Sequence, residues 1–219
     1  MNLLSMFIKG GWVMYPILLC SIVALAVIIE RFMTIRKSKI NVPAFLIKLR
    51  GMLKKKDVSS AVAFCMETKT PAANMIRKGL KKYRYGHERV QEAIEAAGKQ
   101  EVAKLEKGLS VLATVAGVAP MIGFLGTVTG MISAFMRIET LQGSASPSDL
   151  AGGIWEALLT TAFGLGVGII ALMFYNYFLG VIGKMVSDME LISNDIIDVL
   201  EDTGVGAGKT ADEDIEIEL

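Results

Sequence analysis

Three stretches of this sequence carry no charged residue over the length needed to cross a bilayer: residues 10–29, 108–136 and 157–183. A helix rising 1.5 Å per residue needs about 20 apolar residues to span ~30 Å of hydrocarbon, so each stretch predicts a transmembrane helix. No other feature limits the fold as strongly. In lipid the backbone must satisfy its own hydrogen bonds, and three long apolar runs do so as helices. The chain is 53% hydrophobic over 219 residues, more apolar than an ordinary soluble domain. The predicted class is therefore an all-α integral membrane protein with three transmembrane helices.

The first run has the look of a signal peptide. No small-residue cleavage site follows it, however, and it ends in Glu30-Arg31 and further basic residues. It reads as a retained helix, with Trp12 and Tyr15 anchoring its outer end. Between Arg31 and Lys107 there are 19 Lys/Arg against 7 Asp/Glu, with Arg31, Arg36, Lys37 and Lys39 directly after the first span and Lys99, Lys104 and Lys107 directly before the second. Juxtamembrane cations mark the cytoplasmic side, which puts the N-terminus outside and the C-terminus inside. The predicted organisation is an external N-terminus at 1–11, span one at 12–32, a basic cytoplasmic helical region at 33–107 and span two at 108–136. An external loop at 137–150, span three at 151–183, an inward helix extension at 184–203 and a disordered acidic tail at 204–219 complete it.

Within the basic region, Phe45, Leu46, Leu49 and Leu53 share one helical face, and Asp57 and Thr70 stand where helix N-caps belong. The segment from His87 runs without a proline into span two, which predicts one continuous helix that carries span two into the cytoplasm. Span three is expected to continue likewise. Ile182, Met185, Met189, Ile192, Ile196 and Val199 follow 3–4 spacing, a heptad seam that needs a partner, either another copy or the chain's own second long helix. Gly204, Gly206 and Gly208 then end the pattern, and the acidic residues beyond suit a solvated tail.

The two later spans each carry a stripe of small residues. At about 100° per residue, Ala116, Gly123, Gly126, Thr127, Gly130 and Ala134 share a face of span two, and Ala157, Thr160, Thr161, Gly164, Gly168 and Ala171 a face of span three. Such stripes let helices approach closely in lipid. Thr127 and Thr161 fall at similar depth, roughly 11 Å from the outer boundary, with Glu156 on the adjoining edge. An ionisable residue at a membrane edge usually faces a bundle interior or water, so this level is the candidate functional site.

Several chemistries are excluded. His87 has no companion at metal-ligand spacing, and Cys20 and Cys65 match no metal or redox motif, so neither metal nor cofactor is expected. The glycines of span two lack a following Gly-Lys-Ser/Thr and lie within a span, which rules out a phosphate loop. No nucleophile–base set is present, so no enzyme is expected. The basic region matches no nucleic-acid module and suits anionic lipid headgroups instead.

On the stretches LATVAGVAPMIGFLGTVTGMISAF and IWEALLTTAFGLGVGIIALMFYNY, supported by MYPILLCSIVALAVIIERF, the chain resembles the ExbB/TolQ/MotA family of ion-channel motor subunits, nearest its ExbB and TolQ branches. Pro120, Gly123, Gly126-Thr127 and Gly130 match the second-span motif; Glu156-Ala157-Leu158, Thr161, Gly164 and Tyr175-Asn176 match the third. The resemblance implies a homopentamer in the bacterial inner membrane, driven by protons, its pore holding two helices of a single-span ExbD- or TolR-like partner. Through a TonB- or TolA-like protein it would energise uptake or maintain the envelope. It places Thr127 and Thr161 on the pore near the partner's acid and Glu156 near the outer end of the proton route. Thr160, standing where the family has a small residue, would make the pore more polar. Pro120, Gly123, Gly126, Gly130, Gly164 and Gly168 are assigned to helix packing. The competing readings are a scaffold that passes no ions, and a sodium-driven or motility variant of the motor.

Overall fold

A computed structural model describes residues 3–141 and 146–204. Every regular element among the described residues is helical. The helices are α1 (Leu3–Lys9), α2 (Met14–Ser38), α3 (Val42–Lys54), α4 (Val58–Thr68), α5 (Pro71–Leu80), α6 (His87–Glu106), α7 (Leu109–Thr140) and α8 (Pro147–Thr203), with a 3-10 turn at Tyr83–Tyr85 between α5 and α6. Of these, α2, α7 and α8 are long and apolar enough to cross a membrane. The acidic tail, expected to be disordered, lies outside the described residues apart from Gly204.

The chain divides into two compact units. The first comprises residues up to Arg31 with Gly108–Leu179; the second comprises Phe32–Lys107 and the chain from Gly180 on. In the first unit α7 and α8 pair along their small-residue stripes, and Val13, Met14 and Ile17 at the start of α2 pack with Ile122, Phe163 and Val167. Many large apolar side chains of this unit face outward, including Leu19, Ile22, Phe124, Phe135, Leu158 and Met173, as lipid-facing helices require.

The second unit is built like a soluble domain. Asn41 accepts from the Ala44 N–H at 3.2 Å, Asp57 from Ser60 at 3.0 Å and Thr70 from Ala73 at 3.4 Å, so three consecutive helices begin at side-chain caps. Pro43 and Pro71 sit in the first turns of α3 and α5, where no N–H is needed. The bonds from Ser60 hold the Asp57 carboxyl below its usual range. Phe45, Leu46, Leu49 and Leu53 are all buried, as their spacing predicts, in a core shared with α4, α5 and α6.

The heptad seam of α8 finds cover within the chain. Met189, Ile192, Ile196 and Val199 enter a core with Val90, Ile94 and Ala97 of α6, the start of the expected second long helix, and with α3, α4 and α5 as well. A 3–4 repeat specifies an apolar stripe and leaves its partner open. One expectation needs correction: the helix from His87 does not run unbroken into span two. It stops at Glu106; Lys107 is extended and Gly108 takes φ +84°, after which α7 starts. Gly108 permits this left-handed break, which an L side chain resists.

Cys65 is fully buried in this core, and burial pushes its thiol up to about 12 despite the nearby Arg77. Alkylation of Cys65 at pH 8 should therefore be roughly a thousandfold slower than for a free thiol, and should recover when the unit unfolds. Mass spectrometry after native and denatured labelling checks this. Truncating Ile192, which is wholly buried, should lower unfolding free energy by about 2–5 kcal/mol, whereas Ile47→Ala on the exposed face should change it by less than about 0.5 kcal/mol. Chemical denaturation of detergent-solubilised protein distinguishes the two.

Candidate functional site

The site is set by how closely α7 and α8 approach. A Cβ on Gly123 would come within 2.8 Å of the Thr160 carbonyl oxygen, one on Gly130 within 2.7 Å of the Gly153 carbonyl oxygen, and one on Gly164 within 2.6 Å of the Ala119 carbonyl oxygen. A Cβ on Gly126 would overlap the Thr160 side chain. Gly168 lies under the Pro120 ring, where an added Cβ would meet Cγ at 2.5 Å. Proline has no N–H, so Ala116 loses its usual i+4 donor, and its carbonyl turns a bare oxygen toward Gly168. All six residues assigned to packing thus lie at the α7–α8 contact or against its partner stripe.

The hydroxyls divide into two kinds. Thr160 is wholly buried beneath Gly126, and its hydroxyl donates within its own helix to the Glu156 and Ala157 carbonyls, each at 3.0 Å. With no exposed surface, its side chain cannot line a pore bounded by this chain's surface, contrary to the expectation for it. Thr161 is half-buried and reaches across, donating to the Gly123 carbonyl of α7 at 3.1 Å. Thr127, also half-buried, donates to the Phe124 carbonyl of its own helix at 2.6 Å. The carbonyls they bond, of Gly123 and Phe124, belong to adjacent residues of α7.

Their bonding decides what they can offer. A hydroxyl has one proton to give and two lone pairs to receive. In both threonines the proton is committed to a backbone carbonyl, which leaves the oxygen as an acceptor. A protonated carboxylic acid can donate to such an oxygen; an ionised carboxylate has no proton to donate. The pair therefore suits a neutral acid better than its charged form.

Glu156 is half-buried near the start of α8 and lines a cleft of about 360 Å³ with Ser133, Arg137, Ser148, Gly152 and Gly153. Its carboxylate also lies against Gly11, in the turn between α1 and α2, where a Cβ would overlap it. Gly11 holds φ +68°, so conformation and space both call for glycine. Sequence reasoning missed Gly11 and Arg137. The Gly10-Gly11 pair was a visible turn signal, but nothing in the sequence tied it to Glu156, 145 positions away. Among the described residues, no cluster of His, Cys, Asp and Glu could hold a metal ion.

Comparison with known proteins agrees with this architecture. Residues 67–191 match the model of the MotA/TolQ/ExbB proton channel family. An ExbB homolog of biopolymer transport from Methanothermobacter thermautotrophicus is 31% identical over 192 residues, covering 87% of this chain and 68% of that protein. A biopolymer transport protein, ExbB-like 1, from Synechocystis is 30% identical over 209 residues, covering 89% of this chain and 80% of its own length. The Tol-Pal system protein TolQ of Pseudomonas aeruginosa is 42% identical over 91 residues, 42% of this chain and 39% of that one.

Because backbone atoms face Gly130, no side-chain rearrangement can relieve a larger residue there. Gly130→Val should cost about 1–3 kcal/mol or more, while Gly117→Ala, at a position with open space around it, should be neutral or stabilising. Thermal unfolding in detergent orders the two variants against the parent chain.

Proposed function

The chain belongs to the MotA/TolQ/ExbB proton channel family, and from that premise we propose that it is the pentameric inner-membrane subunit of a proton-driven motor. In this reading the basic bundle is cytoplasmic and the short turn between α1 and α2 faces outside. Five copies surround a pore occupied by single-span helices of an ExbD- or TolR-like partner. The motor then acts on a periplasmic or outer-membrane client through a TonB- or TolA-like protein, energising import or maintaining the envelope.

The observation that carries the reading is the pair of acceptor-facing hydroxyls, Thr127 and Thr161, beside a glycine-lined helix contact. A partner carboxylic acid entering that level is favoured when protonated and disfavoured when ionised. Proton binding and release would therefore change which position the partner prefers. A charge moving down the membrane potential supplies about 2.3 kcal/mol per 100 mV, several times thermal energy. Glu156, in its polar cleft, would pass protons between the outside and this level. Thr160 belongs in this proposal to helix packing and not to the route.

Proton flux into vesicles tests the proposal. Flux should require co-reconstitution with the single-span partner. Thr161→Val, which removes a hydroxyl at nearly constant shape, should lower flux roughly tenfold, the equivalent of one hydrogen bond of about 1.4 kcal/mol. Glu156→Gln, which removes the ionisable group with little change in volume, should lower flux. An intact complex that moves neither protons nor sodium would support the scaffold reading, and sodium flux alone would make it a sodium motor.

A further inference from the structure

The acidic end of the chain is unused by the proposed motor, and so is one basic corner of the second unit. Residues 77–89 hold six Lys/Arg against a single acid, Glu88. They form the end of α5, the 3-10 turn and the first turn of α6. Tyr83 and Tyr85 interleave with the cations there. Arg84 lies over the Tyr83 ring, and Lys82 Nζ lies 5.2 Å from the centre of the Tyr85 ring, which is 69% exposed. Next to them a groove of about 420 Å³ is lined by Lys82, Tyr85, Arg89, Glu92, Ala93 and Ala96. Its floor is apolar, and Lys82 and Arg89 supply positive charge at its sides. Glu92 pairs with Arg89 at 2.9 Å and offsets only part of that charge.

The end of α8 reaches the same corner. Glu201 Oε1 lies 3.1 Å from Nε2 of His87, the first residue of α6, although off the line of a good hydrogen bond. Gly204 closes the helix with φ +64°. The sequence beyond it ends in DEDIEIEL, with Asp212, Glu213, Asp214, Glu216 and Glu218 and no cation after Lys209. From Asp214 to Leu219 acidic and apolar residues alternate strictly in sequence.

We propose that residues 212–218 dock in the groove of Lys82, Tyr85, Arg89, Ala93 and Ala96 on the same chain, with carboxylates on Lys82 and Arg89 and isoleucines on the two alanines. Length permits it. Eight residues from Gly204 to Asp212 span up to about 27 Å, and the groove extends only about 14 Å along α6 from His87. The tether keeps the tail at millimolar effective concentration, so individually weak surface contacts suffice. Docking neutralises the basic corner and shields it from other anionic ligands. The inference is independent of whether the motor passes ions.

Carbodiimide cross-linking of the full-length chain in detergent, read by peptide mass spectrometry, tests it. A 1:1 mixture of ¹⁴N- and ¹⁵N-labelled chains separates links within a chain from links between chains. The expected result is tail carboxylates joined mainly to Lys82 or Lys81 within one chain. That yield should fall at least ~5-fold between about 0.05 M and 0.5 M salt, since the Debye length shrinks well below 10 Å. Arg89→Glu should lower it similarly, and adding Glu216→Arg to that variant should restore it. Links spread evenly over Lys54, Lys55, Lys56, Lys99 and Lys104 would overturn the proposal. So would mixed-isotope links, which would seat the tail on another copy, or a yield indifferent to salt and to charge reversal.

Discussion

The near-contact of two backbones, α7 against α8, is the constraint on which the rest of the membrane unit depends. Lipid tails are as apolar as leucine, so burying leucine between helices gains little; dispersion between closely approaching backbones must hold them instead. Glycines at 123, 126, 130, 153, 164 and 168 make that approach possible, each lying where a Cβ would collide with the opposing helix. Larger side chains could not separate the helices slightly and keep the other features, because the cross-helix bond from Thr161 to Gly123 needs the same short distance.

That contact also prepares the polar chemistry. A threonine in lipid commonly bonds a carbonyl of its own helix, as Thr127 and Thr160 do. Thr161 instead bonds across the contact, which orients its oxygen and ties the position of the hydroxyl to the packing of both helices. Glu156 is held in a different way. It has the Gly11 turn on one side and a cleft with Arg137 and two serines on the other. The carboxylate therefore has polar company without an immediate ion pair among the described residues.

The second unit follows the rules of proteins in water. Three of its helices begin at side-chain caps, its core excludes solvent, and an Arg50–Asp195 pair, with Nε donating to Oδ2 at 2.6 Å, links α3 to the end of α8 at its surface. The same helix α8 packs in two ways: small residues pack its early turns, and isoleucine and methionine pack its late ones. The change of residue size along α8 marks the change from close backbone approach to burial of large apolar side chains.

Much of this was legible without coordinates. The three spans, the two small-residue stripes, the caps at Asp57 and Thr70 and the buried face of α3 all follow from local rules, because composition and periodicity act within a few turns of chain. The family follows from motifs of the same length scale. What tertiary structure alone decided are relations between distant residues. The α8 seam found its partner in α3 to α6, since an apolar stripe accepts any complementary surface. Thr160 and Thr161, adjacent in sequence, were parted by a 100° step that buried one and left the other reaching Gly123. Gly108 broke a helix that no proline announced, and Gly11 became the neighbour of Glu156. Sequence determined which faces must be covered and at what depth polar groups lie. Only the packed structure decided which group covers which, because that choice depends on the summed fit of surfaces far apart in the chain.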